Sequence, residues 1–263
     1  MFKVVLVFVI TALQVSQGFA QYGEVIRTAR PGISVGPFTV GARVLQVQSG
    51  VQFTTRENFI ASRQAFNQVN VVRFGLTERF EVGVGAAYQS DVLDIAGYET
   101  SRNGLSAMSV RMRSCLHVGE GLVPTVGLQV NLAFPIVSED YRAEHVAPRI
   151  ILMTGQRLGE RFGIRSNWSL GWDGNTPEPS AFYTFFADYL ATNTIRVFVE
   201  HFASVREGEW EGGFDGGMGY LINSDLQLDV SGGYGGLNRL DTEWFVAGGV
   251  SWRMRFNKRE KNT

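Results

Sequence analysis

The chain has 263 residues, a formal net charge of -1, 44% hydrophobic and 19% charged residues, 31 Gly, 19 Phe and 7 Pro. The near-neutral balance argues against a nucleic-acid partner, which would favour a basic surface. The one cysteine, Cys115, excludes an internal disulfide and a Cys-rich zinc site. Richness in glycine and aromatics without helical runs points to β structure with many turns, and all-β barrels of this length often form one domain.

Residues 1–20 differ from the rest. Lys3 gives a positive start, Val4 to Leu13 an apolar run, and Gly18-Phe19-Ala20 a small-x-small cleavage site. This is the pattern of a secretory signal peptide, and its apolar run is too short to span a bilayer. A buried N-terminal strand is the alternative. No cysteine follows the cleavage site, which excludes a lipid anchor there. No later stretch reaches the roughly 20 apolar residues of a membrane helix. A membrane form of the mature chain therefore has to be a closed barrel.

Residues 21–40 are punctuated by Arg30-Pro31-Gly32 and Gly36-Pro37 and show no sustained period. They are expected to form an N-terminal arm, partly inside a lumen. From residue 41 to residue 256 the alternation of apolar and polar residues has period two, the signature of strands with two unlike faces. Leu45, Val47, Val51 and Phe53 oppose Gln46, Gln48, Gly50 and Gln52, and glutamines on one face suit a wet lumen better than a dry core. The stretch VVRFGLTERFEVGVGAAYQ (Val71 to Gln89) reads as a hairpin with Phe80, Val82, Val84 and Tyr88 on one face and Arg73 and Glu81 on the other.

The next strand sets Met108, Val110, Met112, Leu116 and Val118 against Arg111, Arg113, Cys115 and His117. Val126 to Phe134 then opposes Gln129 and Asn131, and a strand near Pro148 to Gln156 turns at Gly159-Glu160. The following strands place Arg165, then Asp188, then Arg196 and Glu200, Asp215, Asp229, and finally Arg253 and Arg255 on their polar faces. Thr54–Arg63, Asp91–Gly104, Pro135–Val146, Asp173–Ser180, Ser204–Trp210 and Gly235–Thr242 read as the longer polar connections. Residues 257–263 form a polar tail. The sum is an all-β, transmembrane, antiparallel up-and-down β-barrel of about twelve strands. With short turns on the periplasmic side and an even strand number, both termini are periplasmic.

Several of these stretches resemble the family named for a putative MetA pathway of phenol degradation. They are RPGISVGPFTVGARVLQVQSGVQF (Arg30 to Phe53), VVRFGLTERFEV, and LQLDVSGGYGGLN followed by EWFVAGGVSWR. Gln48 stands where the family pattern usually has Glu, and Ala29 where an acidic residue is common. The resemblance implies an outer-membrane pore or transporter.

The inward set Gln46, Gln48, Arg73, Glu81, Arg111, Arg113, His117, Gln129, Asn131, Arg165, Arg196, Glu200, Asp215, Asp229 and Arg253 is the candidate lumen lining. It reads as a charged constriction that selects solutes, or as a cross-strand ion-pair lattice that fills the barrel. Cys115 and His117 share a face by spacing and suggest a nucleophile with a base, without an identifiable third residue. His117, His145 and His201 lack metal-ligand spacing. The expectation is a passive outer-membrane channel for small solutes, hydrophobic or aromatic, in a Gram-negative bacterium. Its partners are lipid and solute, with no cofactor and no catalytic residue. The alternatives are a plugged structural or surface-interaction barrel, a barrel-embedded hydrolase, and a soluble lipocalin-like barrel with the alternation reversed.

Overall fold

The computed structural model describes residues 25–237 and 242–256. The expected signal peptide, the expected tail at 257–263 and residues 238–241 of the last expected connection lie outside the described residues. Twelve strands follow one another: β1 (Val44–Glu57), β2 (Ala61–Gly75), β3 (Phe80–Ile95), β4 (Tyr98–His117), β5 (Thr125–Ala133) and β6 (Ala147–Leu158). The second half is β7 (Phe162–Gly171), β8 (Ser180–Leu190), β9 (Ile195–Arg206), β10 (Glu209–Asn223), β11 (Leu226–Leu237) and β12 (Thr242–Arg255). Each pairs antiparallel with its sequence neighbours, and β1 closes on β12 from Val44↔Arg255 to Glu57↔Thr242. Closure leaves no sheet edge to pair with another chain or to go unsatisfied in lipid.

The two faces are inverted relative to a soluble protein. Val84 is 54% exposed and Phe53 56%, whereas Arg73 is 3% and Glu81 4% exposed. Ring contacts reinforce the outer face: Trp168 stacks on Tyr183 at 5.7 Å and meets Phe185 edge-on at 5.4 Å. Tyr183 also accepts a hydrogen bond from Trp210 Nε1 at 3.1 Å and lies 3.4 Å from His201 Nε2. Rings with a polar handle suit the boundary between hydrocarbon and headgroups.

The hairpins β2–β3, β4–β5, β6–β7, β8–β9 and β10–β11 close at one end, together with the start of β1 and the end of β12. This is the turn end; the other is the loop end. Two of the expected long connections are mostly strand. β3 runs to Ile95 and β4 starts at Tyr98, so Asp91–Gly104 is a hairpin closed by Ala96 (φ 53) and Gly97 (φ 87). Ser204–Trp210 closes likewise on Glu207 (φ 53) and Gly208 (φ 85). Two successive left-handed residues follow the right-handed twist of the flanking strands, so the ladder continues up to the turn. Thr54–Arg63 is also strand except around Asn58–Ile60. The connection after β5 is a real loop and contains a 3-10 turn at Glu139–Tyr141.

Candidate functional site

Residues 25–43 do not join the wall. They run through the turn-end half of the barrel and exchange polar contacts with the inward face of most strands. Ile26 N donates to Ser224 O (2.8 Å), and Gln46 Nε2 donates to Arg27 O (3.2 Å). Thr28 Oγ1 meets Ser251 Oγ at 2.7 Å and also accepts from Gln48. The Arg30 guanidinium forks onto Asp229, with Nη2 at 2.9 Å and Nε at 3.2 Å from Oδ1, while Gln227 donates to Arg30 O at 3.0 Å.

Further along, Glu200 accepts the backbone N–H groups of Ile33 (2.7 Å) and Ser34 (2.8 Å) and the Ser34 hydroxyl. Asn167 pairs with Val35 as a strand would, accepting from its N–H (2.7 Å) and donating to its carbonyl (2.8 Å). Arg113 donates to the carbonyls of Gly36 and Phe38 at 3.2 Å each. Glu81 takes Val40 N–H at 2.8 Å while Arg73 clamps it from the other side at 2.8 and 2.9 Å. An irregular segment carries unpaired backbone groups, and burying it inside a barrel requires the wall to supply the partners. The inward carboxylates, amides and arginines supply them.

Glycines make the space. An added Cβ at Gly127 would lie 2.7 Å from Pro37 O, and one at Gly155 would lie 2.9 Å from the Pro37 ring. Gly50 and Gly249 face each other across the β1–β12 seam. A Cβ on the first would sit 2.2 Å from Arg30 Cζ, and on the second 2.4 Å from Arg30 Nε. The Gly–Gly pair is a slot for one guanidinium.

Of the residues expected to line the lumen, Gln46, Gln48, Arg73, Glu81, Arg113, Gln129, Glu200, Asp215, Asp229 and Arg253 are buried in the interior. Arg111, Asn131, Arg165 and Arg196 share the inward parity and are part-exposed to the lumen. Arg113 donates to Gln129 Oε1 (2.7 Å), and Gln129 in turn to Asn131 (2.8 Å). Asp188 pairs with Arg196, and Arg253 Nε with Asp225 at 2.6 Å. Asp215 lies opposite Glu200 in the register, and its two oxygens are buried without hydrogen-bond partners among the described residues.

His117 is the correction. The register slips between Cys115↔Gly127 and His117↔Val126, so Leu116 is an extra residue and His117 lands on the parity of the outward Val126. It is exposed while Cys115 is 1% exposed and inside. One bulge residue reverses the side-chain alternation beyond it. The two side chains therefore do not share a face as spacing suggests. Among the described residues no cluster of three His, Cys, Asp or Glu is placed to hold a metal ion.

Sequence reasoning missed the arm's own anchors and a second polar cluster at the loop end. There Asp91, expected in a loop, points inward and accepts from Arg63 Nε (3.0 Å), Arg102 Nε (3.0 Å), Gln89 Nε2 (2.8 Å) and the Tyr141 hydroxyl (3.0 Å). Tyr141 comes from the loop after β5. Burial, then the hydrogen bond to Asp91, pushes its phenol up to about 12. Arg56 reaches both Glu211 (3.0 Å) and Glu243 (3.4 Å). Between the arm and the turn-end wall remains a cavity of about 920 Å3.

The fold is that of outer-membrane barrels. The chain superposes on an outer membrane channel from Pseudomonas putida F1 with a TM-score of 0.64 at 10% identity, covering 83% of this chain and 98% of that one. The translocator domain of the autotransporter NalP from Neisseria meningitidis gives 0.52 at 11% identity over 81% and 89% of the two chains. The NanC porin gives 0.53 at 11% identity over 78% and 100%. No curated protein matches the chain in sequence. The model of one protein family matches residues 28–254, arm and barrel together, and the chain belongs to that family, described as "Putative MetA-pathway of phenol degradation".

Proposed function

We propose that the protein is an outer-membrane channel through which small apolar or aromatic solutes pass down their own gradient. On this reading it is exported by a cleaved signal peptide in a Gram-negative bacterium, with the turn end in the periplasm. The observation that carries the reading is the way the lumen is filled. A separate segment, residues 25–43, occupies the turn-end half, held by hydrogen bonds and one forked ion pair rather than by an apolar core. Water admitted to the lumen can replace such contacts, which are worth a net ~0.5–1.5 kcal/mol each between neutral groups and ~1.5–3 kcal/mol where one group is charged. An arm held this way can leave its seat without unfolding the wall, whose ladder is complete from β1 to β12. The family's description, with its reference to phenol degradation, favours aromatic solutes.

A plugged barrel with a purely structural role is the second reading, favoured by the number of arm contacts. Liposome swelling with the purified protein, intact and lacking residues 25–40, separates the two. Swelling in small neutral solutes that increases on deletion supports the channel. No flux in either form would sink it. A hydrolytic role loses its motif-level support, because His117 and Cys115 lie on opposite sides of the wall.

A further inference from the structure

The charges inside the barrel are not evenly spread. At the loop end Arg63 and Arg102 share Asp91, and Arg56 has Glu211 and Glu243, while Arg149, opposite Asn131 and Gly171, has no carboxylate within ion-pair distance among the described residues. The turn end gathers several such arginines around one cavity. Its wall carries Arg27, Arg79, Arg157 and Arg165, none within ion-pair distance of a carboxylate among the described residues, while only Glu120 and Asp188 bring negative charge into it. Asp188 is already taken by Arg196. Glu81, beyond the lining, serves both Arg73 and Arg113. The vestibule is left with an excess of positive charge.

Two of these arginines are placed on rings rather than on acids. Arg27 lies 4.2 Å from the Phe38 centroid, and Arg165 lies 3.7 Å from that of Phe186. Phe186 stacks in turn on Phe198 at 4.9 Å and 11°. All three rings line the cavity. Arg27 and Arg157 both line the cavity, and Arg79 Nε is buried with no hydrogen-bond partner among the described residues. Like charges gathered around a space are costly unless an anion enters it. At about 920 Å3 the space falls in the range of small-molecule sites. A guanidinium lying on a ring favours a flat ligand that can slide between such surfaces.

We infer that this vestibule is a binding site for small amphipathic monoanions, aromatic carboxylates above all. The carboxylate sits between Arg27 and Arg157, and the ring lies against Phe186 and Phe198. The inference rests on the channel reading for its purpose, since a well of this kind at the periplasmic mouth sets which solute crosses. As a binding site it stands without transport. Guanidinium groups hold a carboxylate bidentately, so charge and planarity are read together.

The test is equilibrium binding of benzoate and of benzyl alcohol, its neutral counterpart, to the full detergent-solubilised protein by calorimetry at pH 7 and low salt. Benzoate should bind about tenfold more tightly or better, and the preference should shrink in high salt. Arg27→Gln with Arg157→Gln should remove the preference, and both positions are exposed, so the barrel is retained. Arg102→Gln, at the loop end, should leave it unchanged. Equal binding of the two ligands, or benzoate binding unchanged in the double variant, would overturn the site. Benzoate binding as expected without flux of any solute would remove the channel and leave the site. Flux without anion preference would do the reverse.

Discussion

Gly50→Ala tests whether Arg30 is the arm's latch. A methyl group at residue 50 would occupy the place of the Arg30 guanidinium, 2.2 Å from both Cζ and Nη1, and its three nearest atoms all belong to Arg30. The guanidinium has to give way. Its displacement breaks the fork onto Asp229, whose side chain is 0% exposed while that of Arg30 is 22% exposed. Removing one partner of a buried pair costs ~3–5 kcal/mol. Water reaching the part-exposed Arg30 lowers this to about 2 kcal/mol. That shifts the ratio of displaced to seated arm by about 30-fold, whatever its starting value. Two assays report the shift: the rate of liposome swelling, and tryptic cleavage after Arg27 in reconstituted protein. Both should rise in Gly50→Ala, with heat-modifiable gel migration unchanged. Asp229→Asn should act in the same direction by a smaller amount, because the amide still accepts one hydrogen bond. Unchanged swelling and cleavage in Gly50→Ala would refute the latch.

Val84 lies on the exposed, lipid-facing side of β3, and Val84→Arg should cost about 2–4 kcal/mol in urea unfolding from bilayers. Gly85→Ser, on the other face, should cost less, since its new atom meets the mobile ends of Arg111 and Ser109 rather than backbone. Tyr183→Phe leaves the Trp210 indole N–H without its acceptor, and should lower stability by about 1 kcal/mol in the same assay. Tyr141 donates to Asp91 as a neutral phenol with its pKa raised from 10.0 to about 12, so its contribution is complete below pH 10 and lost as pH rises through about 12. Protease cutting in residues 134–146 should increase over that window and in Tyr141→Phe should already be high at pH 8. The loop carboxyl of Asp173 is held down to about 2 by the N–H groups of Asn175 and Thr176, then by Arg206. Its clamp on Arg206 should persist at pH 4 and fail as pH falls through about 2, seen as a chemical-shift change at Arg206 that Asp173→Asn lacks.

The wall was legible because its physics is local. An outward Phe53 beside an inward Gln52 has to alternate if one face meets lipid, and the pattern recurs in every strand. The end of that legibility is instructive. Ala96-Gly97 and Glu207-Gly208 carry no Asn-Gly signal, so the polar strand tips around them resemble loops. They remain paired because the wall continues beyond the apolar band, where outward residues no longer need to be apolar. Leu116 shifts the frame by one residue, and nothing in Ser114-Cys115-Leu116-His117 announces a bulge. The arm was expected from its Pro and Gly content, but its seat was not. Arg30 and Asp229 are far apart in the chain, and their pairing depends on a curvature that brings β11, β12 and β1 around one guanidinium. Gly50, Gly127, Gly155 and Gly249 were the available signal, since inward glycines recur where the arm passes. Read singly, they look like ordinary strand bends.

The slot between Gly50 and Gly249 has a further meaning in assembly. Its two walls come from β1 and β12, the first and last strands of the barrel, and Gln48 and Ser251, which hold Thr28, flank the same seam. The slot for Arg30 does not exist until the ends of the sheet have met, whereas the arm's contacts with Glu200, Asn167, Arg113 and Glu81 lie away from the join. A half-built or open sheet offers Arg30 only Asp229 and no slot. The seating of Arg30 in its slot is thereby ordered after closure, and the seated arm, tied to both sides of the join, acts as a clasp across the one hydrogen-bonded ladder that joins the two ends of the described barrel.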